Sequence, residues 1–207
     1  MSTSSPERDP PPRRRLPREE RQRQLMHVAW RLVREEGTDA LTLGRLAEEA
    51  GITKPVVYDH FGTRNGLLIA LYQDYDARQA ALMDAAIQAS APGLDATAGV
   101  IACSYVACVL TQGREMPGVL AALAGSAELE KIKRAYQMAF IAKCRGLLAP
   151  FTGPRGIAPA AFWAMLGAAD ALSDAAVKGD VTAEEAEGEL FRTILALVGR
   201  SHGIAAS

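Results

Sequence analysis

Residues 42–61 read TLGRLAEEAGITKPVVYDHF, and their spacing decides the fold. Thr42 is a plausible N-cap for a short helix whose apolar stripe is Leu43, Leu46, Ala47 and Ala50. Gly51 ends that helix, and Thr53 opens a second one almost at once. A small residue and a glycine in Ala50-Gly51-Ile52-Thr53 permit a tight turn between two steeply crossing helices. In the second helix Lys54 is the first residue and Pro55 the second, where a missing N–H has no intrahelical partner to lose. Val57 and Phe61 are four apart and face a core. Lys54, Val56, Tyr58 and His60 are left outside it.

That layout suits a helix that enters the DNA major groove by its N-terminal residues. Lys54 can bond guanine, and Val56 can pack on a thymine methyl. Tyr58 and His60 can donate to phosphate oxygens. Arg64 and Thr42 each sit at a helix start, where side chain and free N–H groups together can meet a phosphate. Arg45 either reaches DNA or pairs with Glu48 or Glu49 on a solvated face. With the capping Thr53, these form the candidate DNA-binding set.

The flanking chain agrees with this reading. Residues 1–34 hold nine arginines against four acids, whereas residues 80–207 hold ten basic and twelve acidic residues. A basic end on an acidic body is a footprint of nucleic-acid binding, although a solubilising tail gives the same count. Residues 1–18 are rich in Ser, Pro and Arg and predict a disordered basic arm, whose Arg13, Arg14 and Arg15 either reach DNA or do nothing. Leu25, Val28, Ala29, Leu32 and Val33 predict a first helix over about 18–36, stopped by Gly37. A helix from about Arg64 carries Leu67, Leu68, Leu71, Tyr72 and Tyr75. Five more are expected at roughly 94–112, 115–124, 126–149, 158–178 and 182–200. Apolar residues make up 49% of the 207, with scarcely any β-branched alternation, so the fold class is all-α.

The run 42–53, then Tyr58-Asp59-His60-Phe61, then Arg64 and Leu67, resembles the signature of tetracycline-repressor (TetR) family regulators. The motif covers about residues 19–79. The resemblance implies an N-terminal helix-turn-helix DNA-binding domain over 19–79 and a ligand-binding and dimerisation domain over 80–207. It implies a homodimer through helices 158–178 and 182–200, double-stranded operator DNA as partner, and a small-molecule effector that releases the operator. Around the implied pocket stand Tyr105, Cys108, Met116, Met138, Phe140, Trp163, Met165 and Leu166, for each of which plain core packing is the competing reading. Asp170, in an Ala-rich run, is either a carboxylate that orients a ligand or bridges the dimer, or an exposed residue. Few charges among these candidates point to an apolar or aromatic effector.

The dimer reading has support from the residues. Phe162, Met165, Leu166 and Leu172, with Leu190, Phe191, Ile194, Leu195 and Val198, give more apolar surface than one small domain needs. Cys103, Cys108 and Cys144 have no motif spacing and predict reduced core residues. Without a signal peptide or an unbroken apolar run of about 18 residues, a soluble cytoplasmic protein is expected, with no membrane partner. The three histidines have no nucleophile or metal partner in the sequence, and there is no Gly-rich phosphate loop or Cys/His cluster, so neither an enzyme nor a cofactor or metal is expected. The competing function is a ligand-independent DNA-binding corepressor or architectural protein, which a body without a cavity would favour.

Overall fold

The computed structural model describes residues 16–111 and 115–203, which are helical with no strand among them. The helices are α1 (Arg18–Glu36), α2 (Leu43–Glu49), α3 (Lys54–Phe61), α4 (Arg64–Ala89), α5 (Leu94–Leu110), α6 (Glu115–Leu123), α7 (Ala127–Leu148), α8 (Pro159–Lys178) and α9 (Ala183–Ser201). A single 3-10 turn, Ala149–Phe151, follows α7. The arm arginines Arg13–Arg15 lie outside the described residues.

Local chemistry sets these limits. Gly37 ends α1 with φ of 84°, a conformation that a Cβ disfavours. Thr42 caps α2 by accepting from the Arg45 backbone N–H at 3.0 Å. Thr182 and Glu185 close a reciprocal capping box at the start of α9, each accepting the other's backbone N–H.

The helices bury two apolar clusters. The first gathers α1, α2, α3 and the start of α4, with Leu25, Leu32, Leu46, Val57, Leu67 and Leu71 all at 1% exposure or less. It also takes Met116, Val119 and Leu123 from α6 and Leu129 from α7. The second gathers α5, α7, α8 and α9, with Met83 from the far half of α4. At 26 residues α4 is roughly 39 Å long, so one rod serves both clusters and runs unbroken through residue 80.

The second cluster corrects the estimate of spare apolar surface. Phe162, Met165, Leu166, Leu190, Ile194 and Val198 are spent inside it. Only Leu172, Phe191 and Leu195 of the nine remain partly outside. They stand beside the exposed small residues Ala160, Ala164, Gly167 and Ala171 of α8. With one face on the core and another of alanines and glycine outward, α8 is long and apolar enough to cross a bilayer by length and composition, and only 28% of that window is buried. Asp170 and Asp174 interrupt that stretch, so α8 contains no unbroken apolar run of about 18 residues. The cysteine reading also needs correction: Cys144 is buried and Cys108 half-buried, but Cys103 is exposed, and all three are free thiols.

Candidate nucleic-acid interface and interior cavity

The turn between α2 and α3 is tight because Gly51 takes φ of 64°. The Ile52 N–H then reaches back to the Ala47 carbonyl at 3.0 Å. Ala47, at 1% exposure, lets the helices approach. Val57 at 0% and Phe61 at 8% pin the inner face of α3. Outward stand Lys54, Val56 and Tyr58, the last 53% exposed. A valine and a tyrosine left in water on an eight-residue helix have no packing duty there. A Cβ on Gly44 would lie 3.6 Å from Lys54 Cε, so the lysine stem runs past the start of α2, near Thr42.

Two arginines of the candidate set serve the chain itself. Arg64 Nε donates to the Leu41 carbonyl at 2.8 Å and its Nη2 to the Thr38 carbonyl at 2.7 Å. Its guanidinium clamps the α1–α2 loop, because a fork of donors at the start of α4 faces two carbonyls that no helix satisfies. Arg45 donates to Glu36 at 2.6 and 3.2 Å and lies 3.2 Å from Glu49. The Glu36 hydrogen bond pushes the already high Arg45 pKa further up, and Arg45 holds Glu36 below the usual carboxylate range. The partner is thus chiefly Glu36 at the end of α1, which sequence spacing along one helix does not reveal. Thr53 occupies the N-cap position of α3, but its hydroxyl makes no cap bond; only its carbonyl is used, by Val56 N–H at 3.1 Å. The cap reading holds for position and fails for the side chain, which remains free for another acceptor.

His60 lies half-buried at the end of α3, and its Nδ1 is buried with no hydrogen-bond partner. Burial first, then the nearby Arg18 charge, hold its pKa below 6.5, with Asp59 opposing and Arg21 adding a smaller push down. Sequence reasoning missed Arg18, which reaches from α1 to the Asp59 carboxylate at 3.2 Å. That pair offsets the one negative charge on α3, which would otherwise repel phosphates.

The other constellation is interior. A cavity of about 450 Å³ opens between α4, α5, α6, α7 and α8. Five of the nine predicted ligand residues line it: Tyr105, Cys108, Phe140, Leu166 and Asp170. Four do not. Met165, at 1% exposure, packs inside the second cluster. Met116 is at 1% exposure in the first cluster, under the helix-turn-helix. Met138 is half exposed, because α7 turns Lys133, Tyr136, Gln137 and Phe140 inward at helical spacing and 138 falls on the opposite face. Trp163 packs on the outside of the second cluster, with the Arg134 guanidinium 4.1 Å above its ring. Sequence reasoning missed the α4 wall, Tyr72, Tyr75, Asp76, Gln79 and Met83, although their spacing of three, four and seven marks one helix face.

At the cavity wall, Tyr105 donates to Oδ1 of Asp170 at 2.5 Å and Tyr75 donates to the Cys108 carbonyl at 2.6 Å; Asp170 lines the cavity yet is itself an exposed residue. Burial raises the pKa of Tyr72 to about 12 and pushes Tyr105 and Tyr75 up as well, so the phenols stay neutral. No three His, Cys, Asp or Glu side chains among the described residues are grouped to hold a metal ion.

Comparison with known proteins places these features. Residues 25–71 match the family of bacterial regulatory proteins, tetR family. Over 59 residues the chain is 39% identical to the HTH-type transcriptional activator FasR of Mycolicibacterium smegmatis, covering 28% of this chain and 27% of FasR. The match thus spans about a quarter of the length of that relative. The fold as a whole is similar to a TetR-family transcriptional regulator from Streptomyces coelicolor, with TM-score 0.64, 20% identity, and 89% and 97% of the two chains covered. It is likewise similar to a TetR transcription regulator from Haloarcula marismortui, with TM-score 0.67, 17% identity, and 87% and 99% covered. The fatty acid degradation regulator FadR from Bacillus halodurans follows at TM-score 0.63, 14% identity, and 84% and 97% covered.

Proposed function

We propose that this chain, a TetR-family regulator by its helix-turn-helix and its fold, binds operator DNA as a homodimer and is released by a small molecule held in its interior cavity. The observation that carries the DNA reading is the division of α3. Val57 and Phe61 hold it down, while Lys54, Val56 and Tyr58 project with no intrachain work to do. Lys54 and Val56 read base edges in this proposal; Thr42, Thr53, Tyr58 and His60 meet phosphates. Arg45 and Arg64 shape the head from within.

A symmetric dimer through α8 and α9 is supported by the small-residue face of α8 with Leu172, Phe191 and Leu195 beside it. Close-packing partner helices would cover it. The cavity favours an effector over the ligand-independent alternative. Coupling has a physical route. Leu120 of α6 lines the cavity, and two residues earlier Gly118 lies so close to Thr38 that a Cβ would stand 2.5 Å from its hydroxyl. Thr38 in turn supplies a carbonyl to Arg64 at the foot of α3. An effector shifts the equilibrium only by its preference for the DNA-incompetent state.

The test is selection of duplexes from a random pool by purified protein. A two-fold symmetric consensus with half-sites about one helical turn apart is expected, with affinity falling steeply as salt rises. Tyr58→Phe combined with His60→Ala should weaken all sequences alike, and Lys54→Ala should relax the consensus. Recovery of no consensus would sink the reading. FasR is an activator by name, so a promoter fusion in cells lacking the protein decides direction separately; repression predicts higher reporter output on deletion.

A further inference from the structure

We infer that the interior cavity selects an organic cation, one with an amine or quaternary ammonium head on an aromatic or aliphatic body. This rests on the reading of that cavity as the effector site and names the chemistry it takes.

The wall is an aromatic enclosure with two carboxylates. Tyr72 and Tyr136 meet at tilted rings 5.5 Å apart, and Tyr105 and Phe140 at 5.0 Å. Tyr75 adds a fifth ring. Such faces carry negative electrostatic potential and attract a cation that has shed its water. Asp76 on α4 and Asp170 on α8 line the same space. The cations in the wall are engaged elsewhere. Lys143 pairs with Asp84 at 2.8 Å and donates to the Ala80 carbonyl, and Lys133 lies 3.6 Å from Glu130. Neither Asp84 nor Glu130 lines the cavity. Asp170 is exposed, and a neutral phenol holds it, which orients the carboxylate without neutralising it. No ion pair engages Asp76 among the described residues, and Lys143 acts on it only at longer range. Burial pushes the Asp76 carboxyl up from the ordinary carboxylate range, the expected cost of a half-buried charge without a close partner. A bound cation would relieve that cost. A carboxylate ligand would meet two acids of like sign and would have to draw lysines out of existing pairs. A purely apolar ligand would leave the half-buried Asp76 without a close partner.

The size agrees. A cavity of about 450 Å³ is in the range that takes a drug-sized molecule.

The test compares three probes that share a biphenyl body on the full-length protein by isothermal titration calorimetry: 4-phenylbenzyl-trimethylammonium, its uncharged carbon isostere 4-neopentylbiphenyl, and biphenyl-4-carboxylate. The cation should bind at least tenfold tighter than either of the others. Asp76→Asn and Asp170→Asn should each weaken the cation about tenfold and leave the neutral isostere unchanged, with circular dichroism melts confirming that the variants fold. Equal or tighter binding of the isostere or the carboxylate overturns the inference, as does failure of the cation to bind. Release of selected operator duplex is read separately by fluorescence anisotropy. A cation that binds but leaves DNA bound keeps this inference and removes the effector reading. Release by the carboxylate or the isostere alone does the reverse.

Discussion

The head of the molecule presents Lys54, Val56 and Tyr58 outward from one short helix, whereas the body gathers its cavity wall from helices far apart in sequence. On the head, Thr42 to Tyr58 stand within one short segment, on two helices of seven and eight residues. The cavity draws its wall from residues 72 to 170 on five helices. An exposed tip needs only a helix face and an anchor opposite it. An interior wall needs every helix to be rotated correctly about its own axis at once. The first is a local property of the chain and the second is not.

Gly66 offers the largest effect and tests how rigid that head is. A Cβ there would lie 2.1 Å from the Phe61 carbonyl oxygen, which is backbone and cannot rotate away. Gly66→Ala should therefore destabilise the protein by about 3 kcal/mol, as overpacking against fixed atoms does. Urea denaturation monitored by circular dichroism measures this. DNA binding should fall with it, since Phe61 anchors α3. A variant as stable as the parent would show that the α3–α4 junction is loose, and the head would then be no more fixed than the body.

Arg64 comes next, because it divides an outward role from an inward one. With its guanidinium on the Thr38 and Leu41 carbonyls, Arg64→Ala should cost about 2 kcal/mol, the range for charge-assisted bonds whose acceptors are left partly unpaired. Arg64→Lys keeps the charge and loses the fork, so it should recover less than half of that stability. Full recovery by lysine would return Arg64 to the set of residues that meet phosphate. The sequence placed it at a helix start correctly. What it could not supply was the position of two carbonyls some 23 and 26 residues earlier in the chain.

The same division explains which parts were legible. All nine helices were readable to within two residues at most ends, because glycine stops, capping residues and apolar periodicity are local signals. The anchors Val57 and Phe61 were readable for that reason. The Glu36 partner of Arg45, the Arg18 partner of Asp59 and the α4 wall of the cavity were not, since each depends on how helices are turned against one another. Met116 shows the limit well. It lies on the expected helix, but α6 delivers it to the first cluster while Leu120, one turn on, reaches the cavity.

The cavity side can be sharpened at smaller cost. Met138→Ala should leave the affinity of any cavity ligand within about twofold, because that side chain is exposed on the far face of α7. Phe140→Ala, two residues on, removes a ring packed on Tyr105 and should weaken binding about tenfold. Calorimetric titration of both variants with one ligand separates them. If Met138→Ala were the more damaging, α7 would be rotated from the position described and the inward set would need to be redrawn.

The smallest effect lies at His60, where head and solvent meet. In the free protein burial and Arg18 hold the imidazole below 6.5, so at neutral pH it is uncharged. A phosphate oxygen beside it would favour the imidazolium and raise that pKa. DNA binding would then take up a proton, and affinity should rise as pH falls through the window between the lowered free value and the raised bound one. The gain cannot exceed about tenfold for each unit between the two values. Asp59 acts on the same ring and is paired with Arg18 in the free protein. Fluorescence anisotropy between pH 5.5 and about 8, at fixed ionic strength, measures the slope. His60→Gln should flatten it and leave the salt dependence in place. A slope that survives in His60→Gln would mean that the unpartnered Nδ1 is a packing feature of α3 and that the imidazole does not face the DNA.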